Sequence, residues 1–371
     1  MKNYAAIILA AGYSSRMGDF KPLMDLEGKT PLKRCMDLFY NSGISDIIVI
    51  TGYLNDRIKQ TIEDNIRLKD STKMVVNNKY SEGMFSSIKA GVKELSKDTD
   101  AFFILPVDIP SVKEYTIEKM IESYERIEDG ILFPTFNEKK GHPTLISCSL
   151  VKEILIKNPE GGLREILNDH KDKWNYEEVA DRGILLDMDT KDDFKFLCEH
   201  ILKAPFPDYD ECLEILRLSR DKQETINHMI SVSEFSKKIG ILLNEKGYNL
   251  NLNAVEAGAL LHDVAKGEKA HAGEGAKIAE NFGYGCLREI ISEHMDLKNF
   301  TKISEKEIIY ICDKLLKGTE LVTLNKRFEQ SFKKYEYEPE ILKNINKRYD
   351  DAKTIKENIE NIIGIRLENL R

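Results

Sequence analysis

Four of the chain's seven histidines, His228, His262, His271 and His294, lie between residues 228 and 294, and Asp263 and Asp313 accompany them in the order H, HD, H, H, D. Imidazole and carboxylate groups are the donors that divalent metals take from proteins. His228 leads Val232, Phe235, Ile239 and Leu242 on one helical stripe, and Asp313 follows Ile309 by four in IIYICDKLL, so both are carried toward an apolar face. A carboxylate on such a face needs a partner, and a metal ion is one that would serve. One histidine so placed could equally be a satisfied core or capping residue; six donors in this order argue for a metal centre.

A second chemistry is written near the N-terminus. LAAGYSSRMGDFKPL, residues 9 to 23, leaves an apolar run and sets Leu9, Ala10, Ala11 and Gly12 ahead of two cations, Arg16 and Lys21. Small residues let backbone N–H groups approach an anion, and fixed cations neutralise it. The spacing matches neither GxxxxGK[ST] nor GxGxxG, so the loop's own residues fit a tight strand-to-helix turn as well as a triphosphate cradle. Downstream, AFFILPVDIP puts Asp108 just past an apolar strand, where a carboxylate can hold Mg²⁺ at the carboxyl edge of a sheet.

The elements that must position these groups differ between the two halves. From Tyr4 to about Leu197, apolar runs (AAIIL, DIIVIT, KMVV, AFFILP, GILFP) alternate with amphipathic stretches. Near-continuous apolar strands imply a sheet covered by helices on both faces, hence a Rossmann-like three-layer α/β domain with a mostly parallel sheet over residues 1–202. KAPFPDYDE, residues 203–211, has the prolines and acids of a linker. Residues 212–371 keep helical periods almost throughout, which predicts an all-α domain whose last fifty residues are exposed helices. The 371-residue length suits two domains. A net charge of −8 disfavours binding to nucleic acid or anionic membranes. The six cysteines stand singly, as in a reducing compartment, and the apolar run before Gly12 is too short for a signal peptide or membrane span. The expected location is the cytoplasm.

The string at residues 9 to 21 resembles LAAGxSxRMGxxK, the signature of nucleotidyltransferases related to molybdenum-cofactor cytidylyltransferase and guanylyltransferase. The resemblance spans about residues 4 to 197. It implies that Leu9, Ala10, Ala11, Gly12, Arg16 and Lys21 bind the nucleoside triphosphate and that Asp108 is a catalytic Mg²⁺ ligand. NNKYSEGMFSSIKAG resembles the family's EGMxxS segment, which would set Gly83, Ser86 and Ser87 in the nucleotide pocket. KKGHPTLI resembles its GHP element and GGLREIL a weaker motif, so that His142 and Arg164 would face the acceptor. LLDMDTKDDF resembles the D-x-D-T segment, with Asp189 as the second metal carboxylate and Asp187 beside it. Lys21 would act near the α-phosphate. CTP and a molybdopterin acceptor are the implied substrates, with a molybdenum hydroxylase as recipient of the product.

Residues 220 to 320 resemble the HD-domain metal-dependent phosphohydrolases. His228, His262, Asp263 and Asp313 correspond to the basic ligand set, and His271 and His294 to the additional pair of two-metal members. Lys266 stands where many members carry a phosphate-approaching lysine. Metals sharing Asp263 would activate water and clamp a phosphate; this donor set, without thiolates, favours Fe or Mn. Two other readings stay open: a sugar phosphate or phosphonate acceptor, and an HD half that senses a nucleotide without turnover.

Overall fold

The computed structural model describes residues 2–14, 17–65, 67–298 and 300–370. The chain divides into two compact units, Met1–Leu202 and Lys203–Arg371. Among the described residues no helix is long and apolar enough to cross a membrane.

The first unit is built on one mixed sheet. Its strands are β1 (Tyr4–Ala10), β2 (Asp46–Thr51), β3 (Thr72–Val76), β4 (Ala101–Pro106), β5 (Ile131–Phe136), β6 (Lys139–Lys140), β7 (Thr144–Ser147) and β8 (Trp174–Glu178). The order is β3-β2-β1-β4-β7-β5-β6, with β8 also paired to β5. The five apolar runs singled out above are all strands. β1, β2 and β4 are buried along almost their whole length, as strands covered on both faces must be. Helices α1 (Pro31–Asn41), α2 (Asn55–Glu63), α3 (Met84–Val92), α4 (Glu114–Tyr124), α5 (Val151–Ile156), α6 (Leu163–Asp169) and α7 (Lys191–Lys203) complete the unit. Gly91 lets α3 lie close on β1, because a Cβ there would come within 2.6 Å of the Ile7 side chain.

This order places the chemistry. β1 pairs in parallel with both β2 and β4, and Leu9 stands opposite Pro106. The chain leaves β1 toward β2 on one side and returns through β4 on the other, so the loops after β1 and β4 diverge and open a crevice at the carboxyl edge. β7 runs antiparallel to β4 with Thr144 opposite Ile104, which brings the preceding residues, 141–143, to that same edge.

The second unit contains α8 (Tyr209–Leu218), α9 (Gln223–Glu245), α10 (Leu252–Leu261), α11 (His271–Asn281), α12 (Arg288–Glu293), α13 (Glu305–Leu315), α14 (Leu324–Lys334) and α15 (Pro339–Ile363). Two expectations change here. Residues 209–211 are not linker but the first turn of α8: Asp208 and Glu211 form a reciprocal capping box and are buried. The unit is mostly helical, as expected, and adds one small hairpin, β9 (Leu316–Lys317) and β10 (Glu320–Leu321), that turns at Gly318, whose φ of +62° favours glycine. The C-terminal helices are not merely exposed: Ile345, Ala352, Ile355, Ile359 and Ile363 of α15 join the core of α9, α10 and α13. These four isoleucines and one alanine, spaced by seven, three, four and four in a Lys- and Glu-rich sequence, mark one buried face.

Candidate active sites

The loop after β1 closes on itself through Ser14, whose hydroxyl accepts a hydrogen bond from the Lys21 N–H at 3.0 Å. This turns Lys21 inward, where only 10% of its side chain is exposed. Its Nζ lies 2.7 Å from Asp189 and 3.6 Å from Asp108. The two acidic segments are tied by backbone, Met188 N–H donating to the Asp108 carbonyl at 3.0 Å, with the Met188 side chain fully buried. Two carboxylates 81 residues apart in sequence thus meet one ammonium at the crevice.

A cleft of about 340 Å³ opens beside them. Leu9, Ala10, Ala11, Gly12, Lys21, Gly83, Ser87, Asp108 and Asp189 line it. A Cβ at Gly12 would meet nothing within 4 Å, so this stretch of backbone faces open space. Gly83 adopts φ +101° as it starts α3, a conformation open to glycine. Arg16 lies outside the described residues. Ser86 does not line the cleft: its hydroxyl donates toward the carbonyls of Lys79 and Gly83, while Asn77 Nδ2 donates to both Ser86 and Ser87. Asp187 is exposed and also lies outside the lining. Partial burial, with the charges of Asp189 and Asp108, pushes its carboxyl above the usual range. Tyr13 and Tyr80, which the motifs did not single out, line the cleft with ring centroids 5.1 Å apart.

A larger cavity of about 850 Å³ shares Leu9, Met84 and Pro106 with the first. His142 and Arg164 both line it. Burial holds the His142 imidazole below its usual range, and its Nδ1 has no hydrogen-bond partner. Lys140, Lys171 and Trp174 line this cavity as well; sequence reasoning passed over all three, although Trp174 is the chain's single tryptophan.

In the second unit the six expected ligands come together from five elements. His228 Nε2 lies 3.1 Å from Asp313 Oδ1, and His262 Nε2 3.7 Å from the same oxygen. Asp263 Oδ1 lies 3.4 Å from His294 Nε2 and 3.5 Å from His271 Nε2, and its other oxygen 3.7 Å from His262 Nε2. Two groups result, His228–His262–Asp313 and Asp263–His271–His294, each with donor atoms within 4.8 Å of one another.

Local folding explains how the rings are aimed. His262 and His294 each follow the last residue of a helix, and their Nδ1 atoms lie 2.7 Å from the Ala259 and Ile291 carbonyls three residues earlier. Helix C-termini leave such carbonyls unpaired. His228 Nδ1 is held by the Gly318 carbonyl at 2.8 Å, which gives the hairpin its role. A histidine whose Nδ1 bonds a carbonyl presents Nε2 to a metal. The Nε2 atoms of His262 and His294 are buried without a hydrogen-bond partner. Orphaned ring nitrogens beside two ionised carboxylates are what a divalent-metal site supplies, so the residues fit that group.

The charges agree. Burial works to raise the Asp313 carboxyl, but Lys314, His228 and His262 hold it well below the usual range. For Asp263 burial is likewise outweighed, by His294, His262 and Lys266. Lys266 Nζ is 2.5 Å from Asp263. Two further cations were not foreseen: buried Lys314, 2.7 Å from Asp313, and Arg327 of α14, 3.9 Å from it. Lys314 directly follows Asp313, a signal the sequence offered. Asp221 joins them: burial, with Asp263's charge, pushes its carboxyl up to about 6.

Comparison with known proteins matches each unit to a family model. Residues 6–174 match the model of the MobA-like NTP transferase domain and residues 225–318 that of the HD domain. The chain is 28% identical over 193 residues to the molybdenum cofactor cytidylyltransferase of Escherichia coli (strain K12), spanning 51% of this chain and 92% of that protein. It is 22% identical over 200 residues to a probable molybdenum cofactor guanylyltransferase of Bacillus cereus (strain Q1), spanning 52% and 95%. A solved nucleotidyl transferase from Methanothermobacter superposes with a TM-score of 0.47 at 18% identity, over 55% of this chain and 99% of that one. With a carboxylate–lysine cluster at its sheet edge and a six-donor His/Asp centre in its helices, this chain carries a MobA-like nucleotidyltransferase domain followed by an HD metal-dependent phosphohydrolase domain.

Proposed function

We propose that the first unit transfers CMP from CTP to the phosphate of a molybdopterin-type acceptor, releasing pyrophosphate, and that the second hydrolyses a phosphate bond of a nucleotide or phosphorylated small molecule. The observation that carries the transferase reading is the meeting of Lys21, Asp108 and Asp189 where two cavities adjoin. One cavity suits the triphosphate and the other the acceptor. An acceptor phosphate oxygen attacks the α-phosphorus in line, forming the new P–O bond as the bond to pyrophosphate breaks. Lys21 supplies fixed positive charge there, and the N-terminal turn of α3 offers its N–H groups to the triphosphate. Arg164 binds the acceptor's anionic group, and the neutral imidazole of His142, with its free Nδ1, hydrogen-bonds and orients it. Mg²⁺ held by Asp108 and Asp189 supplies, when bound, neutralisation of the phosphate oxygens and of the leaving group. The cytidylyl choice is supported by LAAG and by the name of the Escherichia coli relative. The product would pass to a molybdenum hydroxylase.

In the second unit Asp263 belongs to one donor group and also reaches His262 of the other, within 3.7 Å of three histidines. His228, His262 and Asp313 would hold one ion and Asp263, His271 and His294 another, Fe or Mn by donor type; when bound they supply water activation and charge neutralisation at phosphorus. Lys266 and Arg327, whose side chains are 47% and 35% exposed, neutralise the phosphate oxygens from the open side.

The test measures pyrophosphate release from each nucleoside triphosphate with molybdopterin and with sugar phosphates. Preference for CTP with molybdopterin supports the reading; preference for another base or a sugar phosphate overturns it. For the second unit, Asp263→Ala abolishes metal retention and phosphate release, and survival of both would leave a binding module instead.

A further inference from the structure

The larger cavity of the first unit has a charge its surroundings do not share. The chain as a whole carries −8, yet Lys140, Arg164 and Lys171 all line this cavity and no Asp or Glu among the described residues does. None of the three cations forms an ion pair among the described residues. Burial and the like charges of Arg164 and Lys171 hold the Lys140 ammonium below its usual range. Three cations sharing one concavity repel each other, and an anionic ligand relieves that repulsion.

An aromatic plate stands beneath the charges. The Trp174 indole is pinned by its Nε1, which donates to the Leu167 carbonyl at 2.8 Å, and is braced edge-on by Phe133 at a centroid distance of 5.2 Å. Lys140 Nζ sits 3.8 Å from the Trp174 ring centre and 4.9 Å from that of Phe133, and Lys171 Nζ 5.8 Å from Trp174. Topology brings these parts together from separate segments. Lys140 is on edge strand β6, Trp174 opens β8, and both strands pair with β5.

We infer that Trp174, Lys140 and Lys171 form a clamp for the end of the acceptor that does not react, with the ring plane taking a flat unsaturated group and the two ammonium groups taking an anionic substituent on it. His142 and Arg164 remain for the reacting phosphate. The inference deepens the transferase reading and rests on it for the word acceptor; the clamp itself is a binding statement. It makes these three residues determinants of acceptor choice, because a sugar phosphate offers no flat face to the indole.

As the chain's single tryptophan, Trp174 reports on its own cavity. The full chain is titrated with 6-carboxypterin, a flat ring bearing one carboxylate, and the inner-filter-corrected indole emission is read. Saturable quenching is expected, weakened at least tenfold in Lys140→Met/Lys171→Met, with uncharged pterin and ring-free citrate both binding more weakly. Equal affinity in the double variant, equal affinity for citrate, or no saturable quenching overturns the clamp. In turnover, Trp174→Leu raises the KM for molybdopterin about tenfold, as loss of a stacking partner implies, with the KM for CTP and kcat nearly unchanged; an unchanged acceptor KM counts against the clamp. The two readings fail separately. Lysine-dependent quenching without pyrophosphate release under any acceptor condition defeats the transferase reading and leaves the clamp, whereas pyrophosphate release with wild-type acceptor KM in both variants does the reverse.

Discussion

On the proposed transferase reading, Lys21 and a divalent cation have claims on the same two carboxylates, and this makes Lys21→Met a perturbation with effects of opposite sign. The ammonium is 2.7 Å from Asp189 and 3.6 Å from Asp108, gross attractions of about 6 and 5 kcal/mol at an effective dielectric of about 20. Desolvation cancels most of this. The carboxylates are also 28% and 27% exposed, so solvent screening leaves roughly 1–3 kcal/mol net. A cation entering the free enzyme has to overcome that share of the Lys21 interaction. In Lys21→Met the competitor is gone, and Mn²⁺ binding without nucleotide, followed by paramagnetic resonance, is expected to tighten about tenfold, equivalent to ~1.4 kcal/mol. Turnover moves the other way. Losing a fixed charge at the developing oxyanion lowers kcat about 10²- to 10³-fold, read as pyrophosphate release at saturating CTP. A variant with Mn²⁺ affinity unchanged or weakened would refute the shared-carboxylate reasoning, whatever its kcat.

Asp263→Asn keeps the shape of the second centre but removes the charge that reaches both donor groups, so the purified protein is expected to lose most of its transition metal by elemental analysis while pyrophosphate release stays at the wild-type rate; full metal content would contradict the ligand assignment. Gly183→Ala would put a Cβ 2.3 Å from the Ser111 carbonyl oxygen, a backbone atom with little freedom to yield, and about 1–3 kcal/mol of destabilisation is expected. Urea unfolding followed by Trp174 emission measures it for the first unit, and an unshifted midpoint would refute it. Hydrogen bonds from Lys173, Ser147 and Ser149 hold the Asp129 carboxyl down at about 2. A depressed folded-state value stabilises above the unfolded value of about 4 and is lost as pH falls toward 2, so Asp129→Asn is expected to be less stable than wild type near neutrality and to converge with it toward pH 2. A gap that stays constant over that range would show the effect is not ionic.

Much of this protein is legible from its residues in order. Continuous apolar runs of strand length and amphipathic helices with a period of 3.6 are local properties of the chain, so β1, β2, β4 and the donor-bearing α9 and α13 follow from local pattern. The histidine and aspartate donors could be singled out because few other roles explain so many of them on apolar faces. What tertiary structure decided is which side chains share a space. Lys140, Lys171 and Trp174 belong to no motif and meet through the pairing of β6 and β8 with β5. Arg327 reaches Asp313 from a helix whose sequence reads as solvated surface. Ser86 lies outside the cleft beside Lys21, its hydroxyl taken by nearby carbonyls. The Gly318 carbonyl of the hairpin holds the ring of a histidine 90 residues earlier. Periodicity is local and survives in the sequence; a charge partner or shared cavity is a distance between remote segments, set only when the chain packs.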